Sequence, residues 1–223
     1  MITVHHLEDS RSQRVLWLLE ELGVEYRIKR YERDTRTMLA PDSLREVHPL
    51  GKSPVIEDDA RVVAESGAIV EYLVERYGNG RMIPPPGSED RLRYTYWLHY
   101  AEGTLMPLLV LGLIFDRLSQ PPMPLLLRPV AGLIGNGVRK SFIEPRIGEN
   151  LDFIENELAR SDWLAGDEPT GADIQMSFPL EVIVTRGGIG GGYPRIRAYV
   201  ERVHERPSWR RALEAGGPYS YAD

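Results

Sequence analysis

The stretch His48-Pro49-Leu50-Gly51-Lys52-Ser53-Pro54-Val55-Ile56, followed shortly by Ala64-Glu65-Ser66-Gly67-Ala68-Ile69, decides how this chain is read. The first stretch ends in an X-Pro bond at the entry to a short apolar strand. Proline cannot donate to a sheet ladder, so an ordinary trans proline is poorly placed there. A cis bond in a tight turn uses it well, and predicts a Val55 backbone that points outward, free to pair with a ligand. The second stretch sets Glu65 and Ser66 at the start of a helix, whose free N–H groups and dipole suit a carboxylate. Together the two stretches predict a socket for an extended, peptide-like anion.

Upstream of them, residues 2–7 read as a strand. Asp9, Ser10 and Ser12 then precede a helix whose apolar positions Val15, Leu18, Leu19 and Leu22 are spaced i, i+3, i+4, i+7, and Gly23 stops it. Residues 24–28 alternate and read as a second strand. Such a β-α-β opening favours a parallel pair with a right-handed crossover. Residues 37–44 read as one or two helical turns. Val55-Ile56, the polar turn Asp58-Asp59-Ala60 and Arg61-Val62-Val63 make a hairpin, and the helix from Ser66 buries Ile69, Tyr72 and Leu73. The order β-α-β-(α)-β-β-α fills residues 1–80.

The composition changes at Arg81-Met82-Ile83-Pro84-Pro85-Pro86-Gly87, which reads as a linker over residues 81–88. Residues 89–223 carry only helical patterns. Leu92, Tyr96, His99 and Tyr100 form one apolar face, Ile147, Leu151, Ile154 and Leu158 another, and Ile196, Val200 and Val203 a late one. Thr170-Gly171-Ala172-Asp173 is a capping-box-like start for a helix bearing Ile174, Phe178 and Val182. Residues 119–139, rich in Pro and Gly, give no element assignment.

Composition sets the outer bounds. The hydrophobic share is 42%, as in globular domains, and the net charge of −6 gives a nucleic-acid role no electrostatic support. The chain has no cysteine, which excludes disulfides, thiolate metal sites and a cysteine nucleophile. Met1-Ile2-Thr3-Val4 begins directly as a strand, with no secretory pattern. The apolar run at residues 105–115 contains Pro107 and Gly112 and is too short to span a bilayer. The expectation is a cytoplasmic protein without membrane or nucleic-acid partners. His5 and His6 point to opposite faces of a strand, and His48, His99 and His204 lack ligand spacing, so no metal is expected. Gly187-Gly188-Ile189-Gly190-Gly191-Gly192 places Tyr193 where a dinucleotide fingerprint needs glycine, and reads as a connector ending at Pro194.

Several separated motifs now agree in order and spacing: Ser10-Arg11-Ser12-Gln13-Arg14, Ser53-Pro54 before the third strand, Glu65-Ser66 after the fourth, the linker, and Trp163-Leu164-Ala165-Gly166-Asp167 ahead of Thr170 to Asp173. In these the chain resembles the cytosolic glutathione transferases over nearly its whole length, and is most similar to bacterial serine-type members related to the fungal enzymes. The resemblance implies an α/β thioredoxin-like N-terminal domain that holds glutathione. It implies an all-α C-terminal domain that supplies most of the pocket for a small hydrophobic electrophile. Carried over by residue, Ser66 and its N–H take the γ-glutamyl carboxylate and Glu65 the ammonium group. The Val55 backbone pairs with the cysteinyl part, beside Ser53 and Pro54, and Lys52 takes the glycyl carboxylate. A homodimer is implied, with glutathione as co-substrate and no metal.

The chemistry requires a thiolate, because a thiol hardly attacks electrophiles. Lowering a thiol pKa of about 8.5 by roughly 2 units takes about 2.7 kcal/mol. One hydroxyl donating to the sulfur supplies on the order of 1–3 kcal/mol, and a helix N-terminus adds some tenths to one more. Ser10 is the candidate donor, with Ser12 in reserve and Arg11 adding positive charge. Ser10 equally suits a plain helix cap. Glu8 and Asp9, next to it, would raise a thiol's pKa. Tyr94, Tyr96, Trp97 and Tyr100 cluster at the start of the helical part. Tyr96 and Tyr100 suit the core, or, with Met106 and Phe115, an apolar wall for the electrophile.

The expected function is a glutathione transferase of detoxification type, conjugating the thiolate to electrophiles or reducing peroxides with it. The rivals are a catalytically weak glutathione-binding protein and a glutathione-dependent isomerase or dehalogenase. The missing cysteine counts against thiol-transferring relatives.

Overall fold

Strand β1 (Ile2–Leu7) is buried along its whole length, and the N-terminal half is arranged about it. The structure is a computed structural model that describes residues 1–185 and 192–222; the run Gly187 to Gly191 lies outside the described residues. Helix α1 (Ser12–Leu22) follows β1, and β2 (Tyr26–Tyr31) returns parallel to it, with Ile2 opposite Tyr26 and Leu7 opposite Tyr31. β3 (Val55–Asp58) and β4 (Arg61–Ala64) add antiparallel, giving the sheet order β2-β1-β3-β4. α2 (Ser66–Tyr77) closes this part of the fold.

The predicted positions Val15, Leu18, Leu19 and Leu22 are all buried, as are Ile69 and Leu73, while Tyr72 is half-buried. The second strand begins later than residue 24. Gly23 adopts φ 68°, and the Val24 N–H is bonded back to the Leu19 carbonyl at 3.0 Å, so Val24 still belongs to the helix stop. Residues 37–44 do not form a helical turn as a block. Asp34 Oδ1 accepts from the N–H groups of Arg36 and Thr37, making a polar loop. A short 3₁₀ turn follows at Asp42–Glu46, around the buried Leu44.

The remainder is helical: α3 (Glu89–Tyr100), α4 (Met106–Arg117), α5 (Arg128–Val138), α6 (Glu144–Glu157), α7 (Gly171–Thr185), α8 (Pro194–Glu205) and α9 (Pro207–Gly216). The architecture is thus a mixed four-stranded sheet with helices, joined to a helical domain. A π turn at Ala101–Leu105 makes α3 and α4 one helix, Glu89–Arg117, long and apolar enough by length and composition to cross a bilayer. Its buried face is not the one the spacing predicts. Tyr94, Trp97, Leu98 and Ala101 are buried with Tyr100, whereas Leu92, Tyr96 and His99 face outward.

The cause of that rotation is α7. Its first residue, Gly171, sits so close that a Cβ there would lie 2.8 Å from Val70 and 3.0 Å from the Tyr94 hydroxyl. Only glycine lets α7 approach α2 and α3 in this way, and the approach draws the Tyr94 side inward. Asp173, fully buried, then fixes the entry to α7. Its carboxylate accepts from the backbone of Leu164 and Thr170, the Thr170 hydroxyl, and the Tyr199 hydroxyl at 3.0 Å.

Candidate functional site

Ser53–Pro54 is a cis peptide bond, and it delivers the chain into β3. Val55 lies inside the sheet, opposite His5 on β1 and Ala64 on β4. Its N–H and C=O therefore face an occupied strand whichever way they point. This corrects the expectation of a free Val55 backbone. The backbone outside the ladder at this edge is that of Ser53, whose hydroxyl is tied to the His5 carbonyl at 3.0 Å.

Glu65 holds an unusual backbone conformation, φ 71°, immediately before α2. It turns the chain so that Ser66 opens the helix, buried and 4% exposed. Ser66 Oγ accepts from Arg14 Nη2 at 2.7 Å and from the Gln175 side-chain amide at 3.1 Å. A serine hydroxyl has two acceptor sites and one proton. Both acceptor sites are filled, so the proton is left to donate elsewhere. Arg14 also donates to the Gln175 backbone carbonyl and to the Glu102 carboxylate, and Arg11 Nε reaches the same carboxylate oxygen at 2.9 Å. Burial works to raise the Glu102 carboxyl, but the Arg14 and Arg11 guanidiniums more than offset it and hold it below the usual range. Burial lowers the Arg14 guanidinium, opposed by Glu102.

Ser66, Glu102 and Arg11 bound a cavity of about 220 Å³, while Arg14 and Gln175 hold Ser66 without lining it. Lys52, Ser53, Pro54, Glu65 and Ser66 line it together with Arg11, His48 and Glu102, whereas Val55 does not. The chemistry on offer is a site for an anion, with Lys52, Arg11 and an oriented hydroxyl at a helix N-terminus, beside the Glu65 and Glu102 carboxylates. A larger groove of about 750 Å³ lies at the other end of α1, beside Glu20, Tyr26 and Arg30. Two of its polar groups are already engaged, Glu20 by Tyr26 and Arg211, and Arg30 by the Ala215 carbonyl.

Ser10 and Ser12 are both buried, and their hydroxyls meet at 2.8 Å. Ser10 Oγ also accepts from the Ser12 N–H at 3.2 Å, which is the cap role. Ser12 Oγ accepts from the Leu7 N–H and has two acceptors within reach for its own proton, the Leu7 carbonyl and His6 Nδ1. Among the described residues, the acceptor within reach of the Ser10 proton is the Ser12 oxygen. Its side chain turns inward, while its neighbour Arg11 lines the cavity. Glu8 and Asp9 are occupied: Glu8 accepts from the Arg33 N–H, and Asp9 from the N–H and hydroxyl of Ser220.

Comparison with known proteins fixes the frame. Residues 10–76 match the model of the glutathione S-transferase N-terminal domain, and residues 143–207 that of the C-terminal domain. Glutathione S-transferase 3 of Schizosaccharomyces pombe is 37% identical over 215 residues, covering 96% of this chain and 87% of the yeast protein. The chain belongs to the glutathione S-transferase family. Glutathione S-transferase 1 of Saccharomyces cerevisiae is 30% identical over 222 residues, covering 96% of the chain and 94% of that protein. A crystal structure of a glutathione S-transferase from Actinobacillus pleuropneumoniae superposes with a TM-score of 0.78 at 30% identity, covering 100% of this chain and 95% of that one.

Within this transferase fold the three predicted second-substrate residues are not brought to the cavity. The Tyr100 hydroxyl donates to Asn150, and its ring packs with Trp97 and Phe153 between α3 and α6. Met106 is buried in the core, and Phe115 is half-buried near the far end of α4. The Phe178 ring of α7 lies 5.6 Å from the Arg11 guanidinium, which lines the cavity, and 5.9 Å from that of Arg14. Arg14, Glu102 and Gln175 are the residues that sequence reasoning did not place in the site. Arg14 left a signal, an arginine in line with Leu18 and Leu22 on the buried stripe of α1. Gln175 left a fainter one in the apolar run of α7, and Glu102 left none. Among the described residues no group of three His, Asp or Glu side chains converges as a metal site would.

Proposed function

We propose that the chain is a glutathione-dependent transferase that binds the tripeptide in the cavity at the start of α2 and presents its thiolate to hydrophobic electrophiles or peroxides. The observation that carries this reading is the Ser66 hydroxyl, whose lone pairs are filled by Arg14 and Gln175 so that its proton is left to donate. A carboxylate is the acceptor that suits it, because hydrogen bonds to charged groups are the strong ones. The γ-glutamyl carboxylate sits on Ser66 and the helix N-terminus, and the ammonium group on Glu65. The cysteinyl backbone pairs with Ser53, and Lys52 takes the glycyl end. Ser10, or Ser12 through it, donates to the sulfur, and Arg11 adds positive charge. Glutathione enters as co-substrate.

The test is calorimetric titration of wild type and Ser66→Ala with glutathione. The reading expects saturable binding that weakens about a hundredfold in the variant, as a lost hydrogen bond to a charge implies. Binding that survives Ser66→Ala unchanged removes the proposed placement.

A second reading is favoured by one observation. Ser10 bonds Ser12 and is not among the residues that line the cavity. A protein that binds glutathione but ionises it poorly fits that orientation. Retention on glutathione with no turnover of generic electrophiles selects this reading over the transferase.

The thioredoxin-like unit occupies residues 1–80, the linker 81–88 and the helical domain 89–223. Two copies pair through the outward face of α3, where Leu92 is 73% and Tyr96 48% exposed beside Phe153. The setting is cytoplasmic and the role detoxification.

A further inference from the structure

The least charged segment of the chain is also one of its most exposed. Residues 118–138 contain a single charged side chain, Arg128, in a protein that is 27% charged. Leu125 is 75%, Leu126 92%, Leu133 75% and Ile134 54% exposed. Contiguous exposed apolar surface of this kind marks an interaction site.

The packing of α5 explains why that surface stays open. Ala131 and Gly135 form the inner side, with Gly135 so near α4 that a Cβ would lie 3.0 Å from the Phe115 carbonyl oxygen. These small residues let α5 lie flat on α4. The opposite side, Val130, Leu133 and Ile134 at helical spacing, is left outward, and Leu126 and Leu127 lead into it.

Charge identifies the partner. Residues 117–143 carry Arg117, Arg128, Arg139 and Lys140 and no acidic side chain, although the chain as a whole is at −6. Arg139 is neutralised by Asp116 and Glu144. Among the described residues Arg117, Arg128 and Lys140 have no ion pair. An apolar face with cations at its margin fits the interface of an anionic bilayer, apolar side chains in the acyl boundary and cations at headgroup phosphates.

We propose that residues 117–140 dock this protein onto an anionic lipid surface. It lies on the bilayer and does not span it. α5 has 11 residues, and the long helix Glu89–Arg117 is held in the protein core by Tyr94, Trp97, Leu98 and Leu105. The expectation of no membrane partner rested on the lack of a spanning run, which surface docking does not need. A second copy is the poorer occupant. In a two-fold contact the same patch meets itself, which brings one basic margin against another with no acidic side chain in residues 117–143 to offset it. The face proposed for dimerisation, at Tyr96, is also about 28 Å away along the helix from Phe115. The inference does not depend on the glutathione site.

The experiment is co-sedimentation of the full chain with phosphatidylcholine vesicles, with and without a minority of phosphatidylglycerol. It is run on wild type and on Leu126→Glu/Leu133→Glu, both exposed positions. Wild type is expected to bind the anionic vesicles at least about tenfold more tightly than the neutral ones, and to be released by salt. The double variant is expected to stay in the supernatant with unchanged circular dichroism and unchanged glutathione binding. Equal partition of wild type and variant, or equal binding to both vesicle types, overturns the proposal. So does a variant whose only change is from dimer to monomer in sedimentation velocity, since the face then belongs to a second copy.

Discussion

Arg14 donates to the Ser66 hydroxyl at 2.7 Å, and the same nitrogen also donates to Glu102. One buried guanidinium thereby joins α1, the first residue of α2 and the helix that opens the second domain. The site and the domain junction share a charge, so they respond together when it is changed.

Arg14→Lys tests that coupling. Lysine keeps the charge but cannot make the fork of bonds to Ser66, Gln175 and Glu102. We expect a loss of about 2–4 kcal/mol in urea unfolding, below the full cost of breaking a buried pair because Glu102 is one-third exposed. Glutathione affinity should fall in parallel. Stability unchanged within error would mean that the pair contributes no net energy.

Glu102 gives the same pair a pH signature. Its carboxyl is held below the ordinary 4.5 by the two guanidiniums, against the effect of burial. A depressed acid contributes stability that is complete above its unfolded value and is lost as pH falls through the folded one. Wild type should therefore lose stability below about pH 4.5 more steeply than Glu102→Gln. Parallel acid limbs would contradict this.

His6 predicts a separate window. Burial on β1, with Arg30 adding to it, lowers its pKa from 6.5 to about 4. The unfolded chain then binds an extra proton between those values, so stability falls as pH drops from 6.5 toward 4. The limit is roughly 3 kcal/mol. His5 is lowered too, chiefly by burial, and acts in the same direction. His6→Gln should flatten part of this slope in melting curves recorded across that range. An unchanged slope would mean His6 is not the titrating group.

Ser10 and Ser12 should separate cleanly. Ser12→Ala removes bonds to Leu7, His6 and Ser10 together and should cost about 1–3 kcal/mol of stability. Ser10→Ala should cost about 1 kcal/mol of stability, and should raise the pKa of bound glutathione by roughly 1–2 units. If Ser10→Ala left the bound thiol's titration unchanged, the activating donor would be another group.

Much of this was legible in the residues, for identifiable reasons. The stripe of α1, the Gly23 stop, the 55–63 hairpin and the Thr170–Asp173 cap are written in local spacing, and local spacing is what sequence displays. Local spacing does not settle the face of α3, because the helix carries apolar residues on two sides. Only the approach of Gly171 chooses between them. The same limit holds in the site. Glu65 and Ser66 announce themselves at a helix start, whereas Glu102 reaches the cavity and Gln175 reaches Ser66 through a domain packing that no window of sequence contains. Val55 was placed outward because its second neighbour, Ala64, enters only when the hairpin closes. α5 shows no core-facing apolar stripe in the sequence because its inner side is made of the small residues Ala131 and Gly135, while its larger apolar residues face outward.

Glutathione is expected to bind as a thiolate in the cavity lined by Arg11, Ser66 and Glu102, where Arg14 holds Ser66. An ultraviolet difference spectrum, recorded while the protein is titrated with glutathione at a series of pH values, tests it most directly. The expected result is saturable binding and a thiolate band whose midpoint lies about 2 units below the free thiol's, near 8.5. Saturable binding without that band would leave a binding protein, and no binding would rule out a glutathione site in this cavity.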